Sequence, residues 1–130
     1  MLSGICIGTN DMPSAANFYD KVLATIGMRC VMDEQHERGY AGADGRITVF
    51  VVDPYNEEPA THGNGTQVMF YAPDIAAVQQ FHAVALECGG TDEGLPGPRA
   101  YHPDYYGAYV RDPDGNKLNV SIDLGPGTAN

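Results

Sequence analysis

The chain has 130 residues and sets 17 Asp and Glu against 7 Lys and Arg, a formal charge of −10. That length suits one domain, and 43% apolar with 18% charged residues is a globular composition. The acidic balance argues against nucleic acid as the main partner, because a phosphate-binding surface needs clustered Lys and Arg, and against adsorption to anionic membranes.

The first predicted element is a strand over Leu2–Thr9, where Ile5 and Ile7 alternate with Gly4, Cys6 and Gly8. Asp11 has the side chain of an N-cap, and an amphipathic helix is expected from there to about Ile26. Ala15, Phe18 and Val22 form its apolar stripe, widened by Tyr19, Leu23 and Ile26, and Gly27 can supply a left-handed C-cap. Three short strands follow, near 28–33, 38–42 and 46–52, with Asp44-Gly45 as a hairpin signal. A linker, Pro54–Gly65, leads to a second strand-helix unit. Thr66–Tyr71 is a strand, Asp74 caps a helix running to about Cys88 on a Val78, Phe81 and Ala85 stripe, and Gly89-Gly90 ends it. A Pro/Gly-rich loop is expected at Gly94–Pro103, then strands at 106–112 and 116–122 around the turn Pro113-Asp114-Gly115. The tail, 125–130, is expected to be loose.

The two halves repeat each other. At an offset of 63, Ile5 meets Val68, Asp11 meets Asp74, Phe18 meets Phe81 and Gly27 meets Gly90. At an offset of 70, Asp44-Gly45 meets Asp114-Gly115. The chain therefore reads as one domain, 1–124, made of two βαβββ modules, 1–53 and 66–124. Paired, two such modules are expected to give an α+β fold: one curved mixed sheet of about eight strands, helices on the convex side, and a concave inner face.

Asn17-Phe18-Tyr19-Asp20 with Val22-Leu23, and Tyr105–Val110 leading into Asp112-Pro113-Asp114-Gly115-Asn116-Lys117, give the pattern a specific likeness. It resembles the vicinal oxygen chelate superfamily of glyoxalase I, bleomycin-resistance proteins, extradiol dioxygenases and fosfomycin-resistance enzymes. The likeness covers about residues 2–123. In metal-using relatives the cup floor carries ligands on the first and last strand of each module. Carried over, those positions are Gly4, Val49, Gln67 and Asn119, the offsets of 63 and 70 linking them in pairs. Gly4 and Val49 have no ligating side chain, and Gln67 and Asn119 offer only neutral amides, whereas a transition metal wants imidazole, carboxylate or thiolate. No metal or other cofactor is expected; the alternative is one divalent ion such as Zn, Ni, Mn or Fe.

Strand alternation groups Gln67, Met69 and Tyr71 on one strand and Asn119 with Ser121 on another, both sets expected to face into the cup. Either they line a binding site, or they are the solvated face of a half-open sheet. Val49, Val51 and Cys6 are expected to share that floor. The stretch Arg99–Tyr106 supplies a second set of candidates. His102 is the acid–base candidate by its ordinary pKa, Tyr106 a hydroxyl at the strand edge, and Arg99 an anchor for a carboxylate or phosphate. Packing of that loop against the sheet is the plainer role for the same residues. His36, His62 and His82 read as turn, linker and helix-flank residues.

Two classes of function fit. One is a metal-free protein that binds a small organic molecule, as the bleomycin-resistance members do; the other is a metal-dependent lyase, isomerase or dioxygenase acting on a vicinal-oxygen substrate. A homodimer is expected, since the resemblance implies one and a curved sheet leaves edges to cover. No apolar run approaches the ~18 residues of a membrane span, and Met1-Leu2-Ser3-Gly4 lacks the order of a secretory signal. Cys6, Cys30 and Cys88 form no CxxC pattern, which suits reduced, mostly buried thiols in the cytoplasm.

Overall fold

A computed structural model describes residues 1–122. The expected tail at 125–130, and the last two residues of the predicted domain, lie outside that range. The chain runs β1 (Ile5–Gly8), α1 (Met12–Ala24), β2 (Arg29–Asp33), β3 (Glu37–Ala41), β4 (Ile47–Val52), then β5 (Val68–Tyr71), α2 (Ile75–Glu87), β6 (Thr91–Pro98), β7 (Tyr106–Arg111) and β8 (Lys117–Ser121). This is βαβββ twice. The strands form two four-stranded sheets, ordered β1-β4-β3-β2 and β5-β8-β7-β6, each with one parallel pair, β1 with β4 and β5 with β8.

The helices begin where their caps dictate. The Asp11 carboxylate accepts from the Ser14 N–H at 3.1 Å and the Asp74 carboxylate from the Ala77 N–H at 2.8 Å. Gly27 at φ 82° and Gly89 at φ 97° turn the chain out of the two helices. Phe18, Val22 and Leu23 of α1 and Val78, Phe81 and Ala85 of α2 are buried in one core with Ile7, Val49 and Val51 of the first sheet and Ala108, Val110, Leu118 and Val120 of the second.

Two expectations need correction. The sheets do not merge into a single eight-stranded one. Side chains bridge the modules between the end of β1 and the turn before β8: Asn116 Nδ2 donates to the Gly8 carbonyl at 3.0 Å, and Thr9 Oγ1 to Asp114 at 2.6 Å. The Pro/Gly-rich segment after Gly90 is also not simply a loop. Thr91–Pro98 is the edge strand β6, its register broken between Asp92 and Gly94 and again between Gly94 and Gly97. An edge tolerates Pro96 and Pro98 because the missing donors face away from the ladder.

Consecutive residues of α1 serve different modules. Tyr19 is fully buried and donates from its hydroxyl to Asp112 at 2.5 Å, across the module boundary. Asp20 points the other way, accepting from Arg38 Nη2 at 2.8 Å and the Tyr40 hydroxyl at 2.7 Å within its own module. Asp112 is satisfied on both oxygens. Oδ1 takes the Asp114 and Asn116 N–H groups and Oδ2 takes Tyr19 and Asn116 Nδ2. Burial nonetheless holds its carboxyl above the usual carboxylate range.

Tyr19→Phe should therefore lower stability by about 1–3 kcal/mol at neutral pH, the cost of depriving a buried acceptor of its donor. The folded state binds the Asp112 proton more readily than the unfolded chain, whose pKa is near 3.8. This group's contribution to stability thus falls as pH rises from about 3.8 through the folded value and is level above it. Urea denaturation of wild type and Asp112→Asn across that acid range should show wild type losing stability relative to the variant as pH rises; parallel curves would remove the assignment.

Candidate functional site

The faces of the two sheets follow from their registers. In the second sheet Val68, Phe70, Leu118 and Val120 point to the helices, so Met69, Tyr71, Asn119 and Ser121 point to the concave side, with Tyr109 opposite Asn119 on β7. In the first sheet Ile5 pairs with Val49 and Cys6 with Phe50. Val49 and Val51 are buried in the core, and Cys6 is exposed on the other face.

Val49 was expected on the floor, and the structure places it against the helices. The reason is a β-bulge. Tyr40 pairs with Val49 but Ala41 with Ile47, so Thr48 is an extra residue in β4. The offset of 70 that aligns the hairpin turns becomes 69 beyond the bulge, and every later side chain changes face. Phe50, not Val49, is the counterpart of Asn119. Phe50 also crowds the counterpart of Gln67: a Cβ at Gly4 would lie 3.0 Å from the Thr48 carbonyl and 3.4 Å from the Phe50 ring.

The second sheet carries a cleft of about 460 Å³ lined by Gln67, Met69, Phe70, Tyr71, Tyr101, Tyr105, Tyr109, Asn119 and Ser121. Gln67, Met69, Asn119 and Ser121 thus meet in one place. Asn119 is 4% exposed. Its Nδ2 donates to the Ala108 carbonyl at 3.2 Å and the Tyr105 hydroxyl at 3.0 Å. The carbonyl can only accept, which fixes the orientation of the amide. Asn119 Oδ1, the Gln67 amide and Ser121 Oγ have no hydrogen-bond partner among the described residues. Tyr105 reaches Asn119 because Gly107 has no side chain; a Cβ there would lie 2.5 Å from the Tyr105 hydroxyl. Tyr101 packs edge-on against Tyr105, centroids 4.9 Å apart, and its hydroxyl meets that of Tyr109 at 3.1 Å. Burial, then the hydrogen bonds to Tyr101 and Tyr105, push the Tyr109 hydroxyl well above its usual range.

The other candidates lie elsewhere. Tyr106 faces α2, where its hydroxyl accepts from Gln79 Nε2 at 3.2 Å, and it packs on the core. His102 sits half-buried in the loop before β7, its carbonyl accepting from the Tyr105 N–H at 3.2 Å, outside the lining of the cleft. Arg99 is next to the cleft, its guanidinium held by the Leu95, Gly97 and Pro98 carbonyls and 5.7 Å from the Tyr109 ring centroid. His82, expected on the helix flank, is buried and meets Asp92 on β6 at 2.8 Å. His36 meets Asp53 at 2.7 Å beside a hollow of about 620 Å³ along the linker, walled largely by Asp53, Glu57, Glu58 and prolines. Among the described residues no three His, Cys, Asp or Glu side chains come together as a metal-ion site. The thiols are less buried than expected, Cys30 and Cys88 being partly exposed and Cys6 exposed.

Tyr109 and Lys117 are site residues that the sequence reading did not single out. The available signal was the period of two: Lys117 precedes Asn119 by one alternation, and Tyr109 is its cross-strand partner.

A profile of the Glyoxalase/Bleomycin resistance protein/Dioxygenase superfamily matches residues 2–120, and the chain belongs to that superfamily. A glyoxalase/bleomycin resistance protein from Albidiferax ferrireducens T118 is 37% identical with TM-score 0.82, over 93% of this chain and 97% of that one. A glyoxalase/bleomycin resistance protein/dioxygenase family enzyme from Burkholderia phytofirmans PsJN is 22% identical with TM-score 0.72, over 92% and 95%. TioX from Micromonospora sp. ML1 shares the fold at 17% identity and TM-score 0.65, over 95% and 99%. No curated protein sequence matches the chain.

The register assignment has a direct check. Val49→Ala should cost about 2 kcal/mol of stability by opening a core cavity. It should leave the surface of the cleft unchanged. An equilibrium denaturation midpoint equal to wild type would mean that Val49 is not in the core.

Proposed function

We propose that this chain binds a small organic molecule in the tyrosine-lined cleft of its second sheet, without a metal. The observation that carries this is the pairing of an aromatic and thioether wall with polar atoms that have no protein partner: Asn119 Oδ1, Gln67 and Ser121 Oγ. A binding pocket combines apolar surface with a few polar groups left over to fix orientation. A solvated filler face has no need of four tyrosines around a buried Asn. His102 and Tyr106 line no part of the cleft, which favours binding over acid–base chemistry by either side chain.

The residues present do not fit a divalent ion on the floor. Phe50 and Gly4 in the first sheet and Asn119 and Gln67 in the second bring no imidazole, carboxylate or thiolate, and two amides cannot offset the charge. The second reading, a metal-dependent lyase, isomerase or dioxygenase, would need a ligand set drawn from other residues. Metal analysis of protein purified without chelator separates the two. Content far below one Zn, Ni, Mn or Fe per chain supports the binding reading, and about one equivalent overturns the metal-free claim.

The ligand contact itself is tested at Gln67. With 2-naphthamide as a neutral probe, followed by calorimetry, Gln67→Ala should weaken binding by about 1–3 kcal/mol with little change in stability. Asn119→Ala should weaken it similarly but also destabilise the fold, since the buried amide's bonds to the Tyr105 hydroxyl and the Ala108 carbonyl are both lost. Unchanged affinity in both variants would move the site away from this cleft.

The concave face exposes Met69 by 71%, Tyr71 by 69% and Tyr101 by 62%. A second copy of the chain closing over that face is the arrangement we propose in the cytoplasm, where the three thiols stay reduced. Light scattering at micromolar concentration should give twice the 13.9 kDa chain mass; a monomer would refute it.

A further inference from the structure

The cleft continues past Gln67, Tyr101 and Tyr109 into a second hollow of about 420 Å³, whose walls include Arg99, Lys117 and Glu93. Arg99 and Lys117 both lie against one ring: the Arg99 guanidinium carbon is 5.7 Å and the Lys117 Nζ 5.4 Å from the Tyr109 centroid. Neither forms an ion pair among the described residues. The two carboxylates beside them are bonded to other groups, and Asp92 attracts Arg99 and Glu93 attracts Lys117 only from beyond ion-pair distance. Glu93 receives the Arg111 Nε at 2.5 Å, and Asp92 faces α2 and holds His82 at 2.8 Å. In a chain with a charge of −10 and only seven Lys and Arg, two cations beyond ion-pair distance of any described carboxylate are a local concentration of positive charge at one end of one cleft. Arg99 is preorganised by three carbonyls, which hold its charge in place without neutralising it.

From this, and resting on the binding reading above, we infer that the ligand is an aromatic anion. Its ring lies among Met69, Tyr71 and Tyr109, a donor group reaches Asn119 Oδ1, and its carboxylate, phosphate or sulfonate lies between Lys117 and Arg99. A planar anion satisfies both ends at once: the tyrosine faces take a π-system, and the two cations take the charge. A cationic ligand would meet Lys117 and Arg99 as like charges and is disfavoured.

The test compares 2-naphthoate with 2-naphthamide, which share a ring system and differ in charge, by calorimetry at low ionic strength. Naphthoate should bind at least about tenfold more tightly, and added NaCl should erode that margin while sparing the amide. Lys117→Gln and Arg99→Gln should each remove most of the margin without weakening naphthamide. Arg99→Lys, which keeps the charge and loses the three-carbonyl tether, should retain part of it and guards against misfolding of the Gln variant. Equal affinity for the two probes, or a margin untouched by Lys117→Gln, would overturn the anion assignment while leaving the cleft as the binding site. Binding of neither probe would sink both this inference and the reading on which it rests.

Discussion

The buried hydrogen bond from Tyr19 to Asp112 holds the molecule in its working shape. Each module alone has a sheet with one helix on one face, and nothing in the strand ladders connects the two sheets. Beside the bonds that Thr9 and Asn116 make across the boundary, α1 supplies the buried connection. Phe18 fills the common core, Tyr19 reaches the hairpin after β7, and Asp20 returns to Arg38 and Tyr40 on β3. Three consecutive residues thus face three surroundings, which a helix permits because its residues are spaced about 100° apart. Asp112 in turn organises the turn that sets β8 in register, through the N–H groups of Asp114 and Asn116. The position of Asn119 on the cleft floor is therefore linked, through one turn, to a bond made by the other module's helix.

That linkage leaves the two concave faces free to diverge. The first sheet spends its face on Phe50 and on small residues. Phe50 sits against Gly4, and Gly39 pairs opposite it. The second spends its face on Tyr71, Tyr109, Asn119 and Ser121, with Tyr105 folded over Gly107. One ring closes the first floor and one missing Cβ opens the second. The repeated modules have kept one backbone plan and two surface chemistries.

Much of this was legible in the sequence. The two Asp caps, the glycine exits, the apolar stripes and the offset of 63 between modules are local features, and each appears in the structure at its expected place. The face of the second sheet was legible too, because β5 and β8 pair without interruption and alternation carries through. The face of β4 was not. A bulge at Thr48 leaves no mark in composition or periodicity, yet it reverses the faces of Val49 and Phe50. β6 was hidden for a related reason, since its prolines and glycines read as a loop until an edge position makes them tolerable. His82 looked like a helix flank because its partner, Asp92, comes from a strand ten residues further on.

The charges around the cleft also bear on the chemistry the superfamily fold can perform here. A divalent ion is held where anionic or imidazole donors outweigh the cost of stripping its water. On this floor the acceptors are neutral, and two cations at its rim, Arg99 and Lys117, form no ion pair among the described residues. They raise the electrostatic potential of the cleft where a metal site would lower it. The same two cations that repel a metal ion attract an anion, so the floor that is poor for a metal and the rim that is good for an anion follow from one distribution of side chains. Tyr109 lies at the centre of that distribution. Its ring is shared by both cations, and its hydroxyl lies within hydrogen-bond reach of the Tyr101 and Tyr105 hydroxyls.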